Sequence, residues 1–316
     1  HGRYQYVLDF ARPEVVDYIY DRMYQLLKDS HISYINWDMN RSITECYSIK
    51  FPPDRQGEIF HRYILGVYNL YERLISAFPH ILFESCASGG ARFDAGLLYY
   101  APQGWASDNT DAVCRLGIQY GTSYCYPISS IGNHVSASPN HQLGRSTPLW
   151  TRANVAYFGT FGYELDLEKI SEEEKEIIRK QVAFMKKHRS LLQFGLFYRL
   201  KSPFEGNVTA WMTVSDDGRE ALVGWYRVLN EANGPFTRLR LAGLNAEQYY
   251  EICDVMPSDS YFGPSGQYGD ELMNMGLITS DSSCGQFSDG RRQSCDFDSR
   301  IFYLKACPER MKDSTC

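Results

Sequence analysis

Residues 12–38 read RPEVVDYIYDRMYQLLKDSHISYINWD, and the fold turns on how that stretch divides. Pro13 suits the first turn of a helix, and Val16, Ile19, Tyr20, Met23, Leu26 and Leu27 recur at three- and four-residue intervals as far as Ser30. The apolar run Ile32 to Trp37 that follows is short enough for a buried strand, and its end delivers Asp38. The step then repeats. A helix over Gly57 to Phe78 leads past Pro79 into the strand Ile81-Leu82-Phe83, which delivers Glu84, Ser85 and Cys86. A third strand, Gly104 to Ser107, delivers Asp108. Beyond it the pattern predicts helices over Asp111 to Tyr120, Thr151 to Phe158 and Ser171 to Leu192, with strands over Tyr124 to Ile128 and Phe161 to Leu165. Ser171 followed by Glu172, Glu173 and Glu174 is a capping box with acids on the positive end of the helix dipole.

Helices alternating with short apolar runs predict parallel strands joined by crossovers, and five such units at most are present. The fold class expected is therefore α/β plus all-β: the C-terminal part of a (β/α)8 barrel, followed by a small antiparallel β-sandwich. Three further barrel strands are expected upstream, and the opening HGRYQYVLDF, which lacks a methionine, adds to the expectation that the chain begins inside a longer protein. The sandwich is read from Val208 to Val214, the turn Ser215-Asp216-Asp217-Gly218, Ala221 to Leu229, the turn Glu231 to Pro235, Thr237 to Leu241, Gln248 to Cys253 and Arg300 to Leu304. Ser258 to Gly269 and Ser280 to Ser294 read as Gly/Ser/Asp-rich loops. The expected domains are 1–197, a partial catalytic barrel, and 198–316, the sandwich.

Composition narrows the function. The 316 residues are 44% hydrophobic and 22% charged, an ordinary globular balance sufficient for roughly two domains. Lys and Arg total 32 against 38 Asp and Glu, a net charge of -6, so no cation excess exists for binding nucleic acid or an anionic membrane. No apolar window approaches the roughly 20 residues that span a bilayer, and the N-terminus lacks the layout of a signal peptide. The nine cysteines are scattered, with no CxxC pair, which reads as reduced thiols in a cytoplasmic protein; a bridge between Cys284 and Cys295 stays open. No metal or organic cofactor is expected. Aromatic residues reach 15%, which fits either a large aromatic core or rings that cover sugar faces.

Asp38 and Asp108 carry the chemistry. A carboxylate at a strand end serves as a helix cap or ion-pair partner as readily as a catalyst. Two acids at the same end of one barrel, each close to a tryptophan (Trp37 and Trp105), form the arrangement that glycosidic cleavage requires. One ionised carboxylate attacks the sugar and the other, protonated, serves the leaving oxygen. Between them Glu84 is a possible third acid, Gly89-Gly90 allows a close backbone approach or a plain turn, and Arg92 and Asp94 read as partners of their neighbours. No phosphate-loop pattern is present. Cys86 with His134 or His141 lacks the context of a nucleophilic triad. The polar stretch from Tyr120 to Ser136 and on to His141 reads as a loop over the barrel mouth or as a capped connection.

Taken in order, GRYQYVLDFARPEVVDYI, YINWDMNR, FESCASGGARFDAGLLYYAPQGWASDNTDAVCRLGIQYGTS, HVSASPNHQLGR, FGYELDL and GDELMNMGL resemble the C-terminal half of the bacterial α-galactosidases of glycoside hydrolase family 36. The resemblance implies a retaining exo-acting enzyme that removes terminal α-galactose from raffinose-type oligosaccharides, without a cofactor and homo-oligomeric at full length. It implies Asp38 as nucleophile and Asp108 as acid/base. Arg3, Asn40, Cys86 and Gly89 match sugar-binding positions, and Trp105 joins them as the ring nearest Asp108. Asn36 stands where the family has a lysine that binds a galactose hydroxyl, a lost charge-assisted hydrogen bond worth roughly 1.5 to 3 kcal/mol. The family's acidic pair on an early strand would lie upstream of His1. Related readings are an α-N-acetylgalactosaminidase or galactosyl transferase, or an inactive carbohydrate-binding fragment of a longer enzyme.

Overall fold

Pro13–Lys28 forms helix α1, with proline in its first turn, Glu14 at the positive end of the dipole and Lys28 at the negative end. In the computed structural model the described residues are 4–88, 92–231, 237–256, 265–280 and 295–307. They fall into two compact units, His1–Asp108 and Asn109–Cys316.

In the first unit α1 is followed by β1 (Tyr34–Asp38), a 3-10 turn at Pro53–Glu58, α2 (Ile59–Ala77), β2 (Leu82–Cys86), the short α3 (Ala95–Tyr100) and β3 (Gln103–Gly104). The three strands pair in parallel in the order β1-β2-β3. Their core is Val16 and Leu27 of α1, Tyr63, Leu70, Tyr71 and Leu74 of α2, and Phe83 of β2. Gly66 lets α2 close on the turn that leads into α1, since a Cβ there would stand 1.9 Å from the carbonyl oxygen of Phe10. β3 is shorter than expected and is displaced from Gly104–Ser107. A Cβ on Gly104 would lie 2.1 Å from the Phe93 ring, and after Trp105 N–H donates to Ser85 O at 3.0 Å the chain leaves the ladder.

The second unit begins with α4 (Ala112–Thr122), β4 (Gly132–Ser136), α5 (Leu149–Ala156), β5 (Thr160–Glu164) and α6 (Glu172–Phe194), with β4 and β5 parallel. Ser171 and Glu174 form the expected capping box. The strand expected over Tyr124–Ile128 is not there: Tyr124 is exposed, a 3-10 turn occupies Ile128–Ser130, and the strand is the polar stretch Gly132–Ser136, read above as a loop. Its polar groups find buried backbone partners instead of water. Asn133 Nδ2 donates to Phe158 O at 2.8 Å and Ser136 Oγ donates to Thr110 O at 3.0 Å.

The remaining strands are β6 (Leu196–Lys201), β7 (Val208–Val214), β8 (Glu220–Arg227), β9 (Thr237–Leu239), β10 (Tyr249–Met256), β11 (Gly266–Tyr268), β12 (Leu277–Ser280) and β13 (Asp298–Ala306), with helix α7 at Gly269–Asn274. Six make an antiparallel sheet in the order β11-β10-β13-β8-β7-β6, while β9 pairs with β12. Both faces of the six-stranded sheet are covered, which is why β7 and β8 read as near-continuous apolar runs. Trp211, Leu222, Tyr226 and Ile301 face the cluster that includes Ala153 of α5 and Leu192 of α6. Met212, Val223, Trp225 and Phe302 face Leu239, Leu272 and Leu277. β6, β11, β12 and α7 were not foreseen, and the expected turn at Glu231–Pro235 and both expected loops lie largely outside the described residues. Among the described residues no helix is long and apolar enough to cross a membrane.

Candidate active site

Alternation along β1 sorts its side chains. Ile35 and Trp37 join the helix-side core, Trp37 against Tyr71 with ring centroids 4.8 Å apart. Tyr34, Asn36 and Asp38 therefore project from the opposite face, and all three are exposed. On β2 the same alternation sends Phe83 to the core and sets Glu84 and Cys86 on the face of Asp38, with Asn36 in register with Glu84 and Asp38 with Cys86. One surface at the carboxyl ends of two parallel strands thus collects four of the polar groups singled out in the sequence.

Three contacts hold that surface in shape. Asn40 Nδ2 donates to Asp38 Oδ2, so one carboxylate oxygen is held and the other stays available. Arg92 Nη2 donates to Cys86 O at 2.5 Å and to Trp37 O at 3.2 Å, tying the ends of β1 and β2 together beside the hydrogen bond from Met39 N to Cys86 O at 3.0 Å. Tyr34 Oη donates to Glu84 Oε2, and Glu84 is only 2% exposed. Desolvation of the hydroxyl where it meets Glu84, then the hydrogen bond and charge of Glu84, raise the Tyr34 phenol far above its ordinary value, so it remains a donor. The possible third acid is thus enclosed. Asp94 behaves as its position suggested: its Oδ1 caps α3 at Leu97 N, 2.9 Å away.

Asp108 lies four residues beyond β3 and is exposed, and among the described residues its carboxylate has no hydrogen-bond partner. The cap of α4 is Asp111, which accepts from Cys114 N at 2.9 Å and pairs with Arg145, so Asp108 is not consumed as a cap. A cleft of about 390 Å³ is lined by Asp38, Asn40, Arg41, Trp37, Tyr6 and Arg92, among others. That volume falls in the range of small-molecule sites. Cys86, Trp105 and Asp108 do not line it, and Trp105 is buried. Arg3 and Gly89 lie outside the described residues. Tyr34, Arg92 and Ser88, which shape the surface, were not foreseen as site residues; only strand register brings them to it.

In the second unit His134 Nδ1 stands 3.3 Å from Glu164 Oε2 across β4 and β5. That hydrogen bond, more than any other influence, holds the Glu164 carboxyl below its ordinary value of 4.5. A depressed carboxyl contributes stability above its unfolded value and loses it as pH falls through the folded one. Wild type is therefore expected to melt above Glu164→Gln at pH 6, by about 0.5 kcal/mol for so exposed a pair, with the gap closing from about pH 4.5 downward. Melting midpoints of both proteins from pH 6 to pH 3 check this; a constant gap refutes it. Among the described residues no group of three His, Cys, Asp or Glu side chains gathers as a metal ion would need. Cys46, Cys114, Cys125 and Cys253 are free thiols, while Cys284 lies outside the described residues.

Known proteins bear on this geometry. The family model Melibiase matches residues 1–195, and the glycosyl hydrolase family 36 C-terminal domain matches residues 208–304. Alpha-galactosidase AgaA of Geobacillus stearothermophilus is 53% identical over 306 residues, which cover 96% of this chain and 39% of that protein. Its crystal structure superposes with a TM-score of 0.88 at 52% identity over 97% of this chain and 40% of that one. The alpha-galactosidase from Lactobacillus brevis gives 0.89 at 51% identity, over 98% and 40%. Variants of the Geobacillus enzyme have been crystallised with raffinose and with stachyose. The chain spans about two-fifths of the length of these relatives. The likenesses settle the fold class as the C-terminal part of a (β/α)8 barrel followed by an antiparallel β-sandwich. Matched along most of its length by both family models, the chain belongs to glycoside hydrolase family 36.

Proposed function

We propose that this chain carries the catalytic carboxylates of a retaining α-galactosidase that removes terminal α-galactosyl residues from raffinose-family oligosaccharides. The observation that carries the reading is Asp38, an exposed carboxylate at the carboxyl end of a parallel strand with one oxygen already held by Asn40. Asp38 Oδ1 attacks the anomeric carbon from the β face while Asp108 gives its proton to the departing oxygen, leaving a β-galactosyl ester on Asp38. Asp108, now a base, takes a proton from water, which attacks from the α face and restores the original configuration. Asn36, Asn40, Cys86, Trp105, Arg3 and Gly89 are read as sugar contacts. The oligosaccharides bound by variants of the Geobacillus relative support the substrate class. The division into a catalytic part, 1–197, and a sandwich, 198–316, belongs to the same reading, as do a cytoplasmic location, supported by the free thiols of Cys46, Cys114, Cys125 and Cys253, and a homo-oligomeric assembly.

The test is hydrolysis of an aryl α-galactoside and of raffinose by the 316-residue chain, and by a chimaera in which it replaces the matching stretch of the Geobacillus enzyme. Turnover in which proton NMR detects α-galactose first is the expected result. Folded proteins that release no galactose, or release β-galactose first, would overturn the reading.

A further inference from the structure

Ser88 stands just past the end of β2, after the buried Ala87, and its backbone is in the left-handed region at φ 50°. A non-glycine residue is held there only when its surroundings require it, and such positions concentrate at functional sites. The turn aims the hydroxyl back at the end of β1, where Ser88 Oγ donates to Asn40 Oδ1 at 3.2 Å. The same amide donates through Nδ2 to Asp38 Oδ2. The carboxylate only accepts and so takes the NH2 end of the amide, while the hydroxyl, able to donate or accept, donates to the other end and anchors the amide there. Turned over, the amide would set its oxygen against the carboxylate oxygen, two acceptors facing each other.

We propose that Ser88 is a positioning residue that acts through Asn40, anchoring that amide against Asp38 so that one carboxylate oxygen is held and the other is left to attack. The inference rests on the reading of Asp38 as the nucleophile, but its structural half can be measured without turnover. The relay Ser88 to Asn40 to Asp38 gives the attacking carboxylate one orientation instead of two, an economy of arrangement worth most in the attack step.

Ser88→Gly removes the hydroxyl and also relaxes the backbone, since glycine takes positive φ readily, so the variant is expected to fold. In the nitrogen-15 spectrum of the chain, one Asn40 side-chain amide proton should resonate downfield and exchange slowly. Ser88→Gly and Asp38→Ala should each return it to the range of solvated amides. In the active form, Ser88→Gly should lower kcat about tenfold with KM unchanged, and Asn40→Ala should absorb that loss so that the double variant is no slower. An Asn40 resonance unaltered by Ser88→Gly overturns the proposal, as does a rise in KM at constant kcat. Turnover that survives Asp38→Ala would sink the nucleophile reading alone, with the resonance still reporting whether Ser88 anchors the amide.

Discussion

Asp38→Ala is expected to lower hydrolysis of an aryl α-galactoside by about 10^4-fold or more, because without the carboxylate no ester forms and water has no positioned rival. The folded structure should survive the change. Asp38 is exposed at the end of β1, and the hydrogen bond it accepts is from Asn40, two residues away. Added azide separates the two acids by stereochemistry. In Asp38→Ala the anion fits the space left by the carboxylate, attacks from the β face and yields β-galactosyl azide. In Asp108→Ala the ester on Asp38 still forms from an aryl galactoside whose phenol leaves without help, and azide then attacks from the α face to give α-galactosyl azide. Raffinose, with a poorer leaving group, should be affected by Asp108→Ala far more than the aryl substrate. Azide products of the opposite assignment would exchange the two roles, and full activity in both variants would remove them.

The strand-end place of Asp38 was legible in the sequence because β1 and β2 announce themselves by apolar runs, whereas Asp108 lies beyond the end of a β3 shorter than its sequence pattern predicts. Trp37 and Phe83 face the helix-side core, so the pattern that marks the strand also marks which residues face away from that core. The surroundings of Asp38 were not legible. Tyr34 meets Glu84, and Ser88 meets Asn40, across about fifty residues of sequence, and only the register of β1 against β2 brings them together. β4 escaped for a different reason. Gly132, Asn133, His134 and Ser136 look solvated, yet a strand held between buried partners can satisfy its polar side chains on backbone carbonyls. β6 escaped because only Gly195 separates it from α6, so no turn signal announced it.

The largest stability effect is expected at Asn154, a fully buried amide on α5 that fastens the β/α elements of the second unit to its antiparallel sheet. Asn154 Nδ2 donates to Ser299 Oγ at 3.0 Å, Ser299 Oγ donates to Thr151 Oγ1 at 3.0 Å, and Thr151 Oγ1 donates to Phe297 O at 2.6 Å. From the neighbouring strand β8, Tyr226 Oη donates to Asn154 O at 2.7 Å beside Trp211. Each hydroxyl passes the bond onward, so removing the amide leaves Ser299 short of a donor in a place water does not reach. Asn154→Ala should cost about 3 kcal/mol and lower the melting midpoint by roughly 6 to 12 °C for a unit of this size. Tyr226→Phe, which deletes one donor and no volume, should cost about 1 kcal/mol. Trp211 fluorescence during urea unfolding reads both, and a loss below about 0.5 kcal/mol for Asn154→Ala would show that the network carries no net stability. The same measurement bears on the architecture. If α5 and the sheet are one cooperative body, Trp211 fluorescence and far-ultraviolet circular dichroism of α4 to α6 must lose structure together in the variant as in the wild type. Two separated transitions would mean that β4 and β5 can unfold from the sheet that carries them.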